Sequence, residues 1–116
     1  EGYAERLAPL ERNGTLRGPR VPAHCRQNYH MFYILLRAEK VREGLATHLR
    51  GKGIQAVSHY VPLHLSPMGR QWGYRDGSLP VTEDLANRLL RLPLYYNLTP
   101  ADQDDVCSGI SEYLKA

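Results

Sequence analysis

Long apolar runs are absent from this 116-residue chain. The longest, Met31 to Leu36, has strand length and falls far short of the ~20 residues a membrane helix needs, so no membrane partner is expected. The N-terminus carries no signal-peptide pattern. The first methionine is Met31, so residue 1 follows initiator removal, processing or a cut. The last agrees with a segment, EGYAERLAPLERNG, that begins as though already inside a helix. Cysteine is scarce: Cys25 and Cys107 stand far apart, and without a secretion signal they point to reduced thiols and a cytoplasmic protein. Lysine is scarce too, three residues against twelve arginines. The arginines are scattered along the sequence, so the net charge of +3 reads as a solvated, slightly basic surface and argues against nucleic acid as a partner.

What remains is 42% hydrophobic and 23% charged, with no internal repeat or low-complexity run, which suits one domain with one modest core. Tyr3, Leu7 and Leu10 recur at helical spacing, so residues 1–12 read as a helix. NG at 13–14, GP at 18–19 and Pro22 then form a linker. NYHMFYILLR, 28–37, is aromatic and branched enough for a strand covered on both faces. From Ala38 a helix of about 13 residues buries Val41, Leu45 and Leu49 and stops at GKG, 51–53. Ile54 to Ser58 is a second strand, and residues 65–80 look like loop. Thr82 is placed as the N-cap of a helix carrying Leu85 and Leu89. RLPLYY, 91–96, is a third strand, held to an edge or irregular place by Pro93. TPAD, 99–102, starts the last helix, which turns Val106, Ile110 and Tyr113 inward. The expected fold is α+β, a small three-stranded sheet with helices packed mainly on one face.

Chemistry concentrates in HYVPLH, 59–64. In an extended segment His59 and His64 point to opposite faces, and His24, Cys25 and His30 add no familiar zinc spacing, so no metal is expected. Neither cysteine has a nucleophile signature around it, and GKG is a helix stop rather than a phosphate loop. The alternative is a binding wall, with Tyr60, Pro62 and His64 on one face offering stacking and hydrogen bonds to a polar ligand. From the residues alone, Tyr60 and His64 read equally well as ordinary half-buried side chains. His30 reads as a satisfied core or interface histidine.

NYHMFYILLR, then a helix, GI, SHYVPLHLSPMG and ANRLLRLPLYYNLTPADQDDV, together resemble the C-terminal part of the DegT–DnrJ–StrS-type sugar aminotransferases, and most nearly the dTDP-4-amino-4,6-dideoxygalactose transaminases among them. The resemblance covers about residues 20–115, and the N-terminal helix more loosely. It implies the small C-terminal domain of a fold-type I pyridoxal 5'-phosphate (PLP) enzyme, residues 23–116, with residues 1–22 a remnant of the interdomain helix and its linker. It further implies a homodimeric enzyme that aminates a dTDP-linked keto sugar, with glutamate as donor. The Schiff-base lysine and most of the cofactor apparatus would lie in an N-terminal large domain, so no PLP is expected on these residues and no activity alone. His64 first, then Tyr60, then His59 would line the substrate side, and Arg70 could meet a diphosphate. Lys40, Lys52 and Lys115 lie on or at the ends of predicted surface helices, none beside a phosphate cradle, and a PLP enzyme needs a lysine to hold its cofactor. Surface meant for a large domain should remain as an exposed apolar patch, with self-association as its consequence. The alternative is an autonomous nucleotide-sugar-binding or regulatory module that reuses the same fold.

Overall fold

The stripe of Tyr3, Leu7 and Leu10 is buried on helix α1 (Gly2–Arg12), the first element of the computed structural model, which describes residues 2–115. The linker does not hold α1 apart. It packs against the last helix, Tyr3 donates its phenol to the carbonyl of Pro93 at 2.8 Å, and Arg6 pairs with Asp104. Leu16, inside the glycine- and proline-rich stretch, is itself a core residue.

The first strand is shorter than its composition suggests. It runs as β1 (Phe32–Leu35), because Tyr29 adopts a left-handed φ of 54°, which an extended run cannot accommodate. His30 is exposed, its Nδ1 2.7 Å from Asn28 Oδ1, so the core alternative for it is wrong. Helix α2 (Glu39–Gly51) matches expectation, burying Leu45 and Leu49 and ending where Gly53 takes a φ of 76°. Strand β2 is only Val57–Ser58.

Between residues 63 and 71 the chain is not loop. A 3₁₀ turn, Leu63–Leu65, leads into helix α3 (Pro67–Gln71), capped by Ser66, whose Oγ accepts from the N–H of Gly69 at 3.1 Å. Helix α4 (Pro80–Arg88) starts two residues before Thr82, because Pro80 fits the first helical turn, where its missing N–H costs nothing. It passes directly into β3 (Leu89–Leu92), which is the central strand and not an edge. Pro93 lies just beyond its end, where it terminates the ladder instead of interrupting it. Helix α5 (Pro100–Lys115) opens on the expected reciprocal cap: Thr99 N donates to Asp102 Oδ2 at 2.8 Å and Asp102 N to Thr99 Oγ1 at 3.1 Å.

The result is a mixed helix-and-sheet domain with antiparallel order β1-β3-β2. Arg17 adds a fourth antiparallel segment on the outer side of β1 by exchanging both backbone hydrogen bonds with Leu35, at 3.0 and 2.8 Å. Three strands were expected; the extra bridge comes from a stretch that reads as linker. The register Phe32–Leu92 and Ile34–Leu90 puts these residues on one face with the buried residues of α1, α2 and α5. Tyr33, Arg91 and Val57 lie across from one another on the other face, half-buried or exposed. Among the described residues, no helix is long and apolar enough to cross a membrane.

Candidate functional site

Pro62 ends the extended path of HYVPLH. With the strand stopping at Ser58 and the 3₁₀ turn opening at Leu63, His64 rotates inward while Tyr60 stays in solvent. Tyr60 is 73% exposed and His64 6%, so the two do not share a face as extended geometry predicts. They belong to two separate clusters.

The first cluster is built around His64. Its Nε2 donates to Glu83 Oε1 at 2.9 Å, and its ring meets Tyr74 edge-on, centroids 6.0 Å apart. Glu83, in the first turn of α4, also accepts the backbone N–H of Gly77 at 2.8 Å and of Leu79 at 3.2 Å. The hydrogen bond from His64, followed by that from Gly77, holds the Glu83 carboxyl below its ordinary range. One carboxylate thus ties the 3₁₀ turn, the 72–79 loop and α4 together. Gly69 is required beneath this knot: a Cβ there would run into the carbonyl oxygens of Leu63 and His64. Arg70 reaches across the same loop to Asp76, its two terminal nitrogens 3.1 and 3.4 Å from the carboxylate oxygens, and depresses that carboxyl. A shallow cavity beside His64 is lined by Leu63, Met68, Trp72, Tyr74 and Leu79, all of them exposed side chains. This is an apolar patch of the kind the sequence led us to expect.

The second cluster lies on the open face of the sheet. The Tyr60 ring sits 4.7 Å from that of His59, and the Arg91 guanidinium carbon lies 5.4 Å from the Tyr60 centroid. His59 Nδ1 and Arg91 Nε are both buried with no hydrogen-bond partner among the described residues. Neither Glu83 nor Arg91 stood out in the sequence. A carboxylate in the first turn after Pro80 was the one available hint for Glu83; Arg91 had none, since its neighbours come from β1 and β2.

Metal and cofactor chemistry can be tested against the side chains present. Among the described residues, no three His, Cys, Asp or Glu converge as a metal site. The thiols are free; Cys25 is exposed, whereas burial pushes the Cys107 thiol up to about 11, far from a reactive thiolate. A cofactor held as an imine needs a sheltered lysine amine. Lys40 and Lys115 are exposed on α2 and at the end of α5, and Lys52 is in an ion pair with Glu112 at 2.6 Å. These residues do not fit a complete PLP site.

Residues 1–111 match the DegT/DnrJ/EryC1/StrS aminotransferase family. The chain is 34% identical over 96 residues to a pleiotropic regulatory protein of Geobacillus stearothermophilus, covering 81% of this chain and 26% of that protein. It is 40% identical over 86 residues to dTDP-3-amino-3,4,6-trideoxy-alpha-D-glucose transaminase of Streptomyces venezuelae, covering 73% of this chain and 22% of that enzyme. In three dimensions it superposes on the crystal structure of S. venezuelae DesV with a TM-score of 0.87 and 29% identity, over 99% of this chain and 30% of DesV. The chain therefore spans less than a third of each of these relatives. It belongs to the DegT/DnrJ/EryC1/StrS aminotransferase family.

Proposed function

We propose that these residues are the C-terminal small domain of a PLP-dependent transaminase that moves an amino group from glutamate to a dTDP-linked keto sugar. The observation that carries this reading is the superposition of nearly the whole chain on under a third of S. venezuelae DesV, beside 40% identity to a dTDP-amino-sugar transaminase of the same organism. The lysine distribution agrees: with no sheltered amine here, the Schiff-base lysine must come from a large N-terminal domain, and the cytoplasmic enzyme acts as a homodimer. In this reading the segment 59–79 closes the sugar-nucleotide side of the site. His64 is held by Glu83 and contacts the substrate; Tyr60 and His59 stack or hydrogen-bond, and Arg70 approaches the diphosphate after exchanging Asp76 for it. The exposed aliphatic and aromatic side chains from Leu63 to Leu79 pack on the large domain, which removes them from water.

A graft tests this directly. Residues 2–115 replace the matching segment of the S. venezuelae transaminase, and the hybrid is assayed for PLP binding by absorbance and for amination of that enzyme's own keto sugar. The hybrid should bind PLP and turn over, and His64→Ala within it should raise KM for the sugar nucleotide. A folded, PLP-loaded hybrid without turnover would refute the reading. So would transamination by the 116-residue chain alone.

A further inference from the structure

Arg91 occupies an unusual electrostatic position. It sits mid-strand on β3, opposite Tyr33 on one side and Val57 on the other, on the sheet face away from core residues Ile34, Leu90 and Leu92. Its Nε is shut off from solvent and makes no hydrogen bond. No carboxylate pairs with it among the described residues, although seven arginine or lysine ion pairs form elsewhere in them. The cleft it lines, of about 250 Å³, contains His30, Gln55 and Val57 and no acidic side chain. The Tyr60 face against the guanidinium stabilises a cation without neutralising it. A partly desolvated, uncompensated guanidinium attracts an anion more strongly than a solvated one, because the surrounding dielectric is lower.

A second cleft, richer in arginine, differs in how its charges are engaged. Arg17, Arg20, Arg37 and Arg88 converge on a cavity of about 300 Å³ beside β1. There Arg20 pairs with Glu11, Arg88 with Asp84, and Arg37 donates to the carbonyl of Gly14 at 3.2 Å. That cleft holds more charge, but most of it is already engaged. Arg91 has none of these partners.

We propose that the cleft on the open face of the sheet, built on Arg91 with Tyr60 behind it and His30 and Gln55 at its wall, is a binding site for a small oxyanion, a carboxylate or a phosphate. The terminal guanidinium nitrogens donate to the anion side-on as a fork, and the Gln55 amide supplies a further donor. The site shares Tyr60 with the transaminase reading but does not depend on it, since Arg91, Tyr60 and Gln55 all belong to this chain.

The test uses the full chain and two probes, inorganic phosphate and L-glutamate, each titrated at constant ionic strength while the Arg91, Tyr60 and His59 resonances are followed by NMR. At least one probe should give saturable shifts centred on these residues; which one saturates identifies phosphate or carboxylate. Arg91→Gln should weaken binding by about tenfold or more, the loss expected when a charge-assisted pair is removed, while Arg17→Gln leaves it unchanged. If Arg91→Gln loses chemical-shift dispersion, Tyr60→Leu, at an exposed ring, serves instead and should weaken binding several-fold in a folded chain. Absence of saturable shifts with either probe overturns the proposal. So does wild-type affinity in a folded Arg91→Gln or Tyr60→Leu variant, or an equal loss in Arg17→Gln.

Discussion

On the inner face of the sheet, Ile34, Leu36 and Leu90 meet Leu45, Leu49 and Ile110, each no more than 1% exposed. In the segment that follows β2, Tyr60, Val61, Leu63, Met68, Trp72 and Val81 are between 62% and 87% exposed. Both regions are held together by polar contacts: the first by the sheet ladder and helix caps, the second by Glu83, which gathers one imidazole and two backbone N–H groups. They differ in what covers their apolar side chains. The core satisfies itself within these residues. The 60–81 segment is shaped by hydrogen bonds yet presents its apolar groups outward, the arrangement of a surface formed for contact. Rigidity and burial are therefore separate properties here, and substitutions can pull them apart.

The largest effect should come from the core. Ile110→Ala should cost about 2–5 kcal/mol of unfolding free energy by urea titration, whereas Leu63→Ala should stay within about 0.5 kcal/mol. A comparable loss at Leu63 would abolish the distinction. Gly69→Ala should cost about 1–3 kcal/mol although it is remote from that core, because the new methyl must displace the carbonyls of Leu63 and His64; unfolding midpoints measure it.

Glu83→Gln should accelerate hydrogen exchange at the N–H groups of Gly77 and Leu79, with the core amides little changed. Its effect on stability has a defined pH dependence. The folded carboxyl lies below its unfolded value of about 4.3, so the folded state binds fewer protons and the contribution is complete above that pH. It fades as pH falls through the depressed folded value. Urea midpoints of wild type and Glu83→Gln should accordingly converge in acid and separate toward neutrality. A constant gap would show that the charge on Glu83 is irrelevant.

Smaller effects sharpen the contrast at the surface. Sedimentation at rising concentration should reveal self-association of the chain, reduced in a Leu63→Ser, Trp72→Ser double variant of unchanged stability. Finally, a thiol reagent near neutral pH should label Cys25 in the folded chain and reach Cys107 only after denaturation, since Cys107 is buried and its thiol is raised to about 11. Equal labelling rates would contradict the burial.

Helices were the most legible part of the fold. Their stripes and caps are local: Tyr3, Leu7 and Leu10 in α1, Leu45 and Leu49 in α2, and the Thr99–Asp102 pair at α5 all lie where spacing and side-chain chemistry put them. Strand limits were less legible. Tyr29 and Pro93 cut short segments whose composition continues, and the centrality of β3 depends on partners 32 to 60 residues away in sequence. In the candidate site, His64 and Tyr60 could be picked out by residue type, but their separation depends on the turn at Pro62, and Glu83 joins His64 from 19 residues away.

By itself the sequence determined the four longer helices and the mixed fold class, because periodicity, capping and residue type are properties of neighbouring positions. Only the tertiary structure decided which histidine is buried, which carboxylate holds it, and that Arg91 faces a cleft with no counter-charge among the described residues. Those outcomes depend on where distant segments meet, and on which of their polar groups the meeting leaves without a partner.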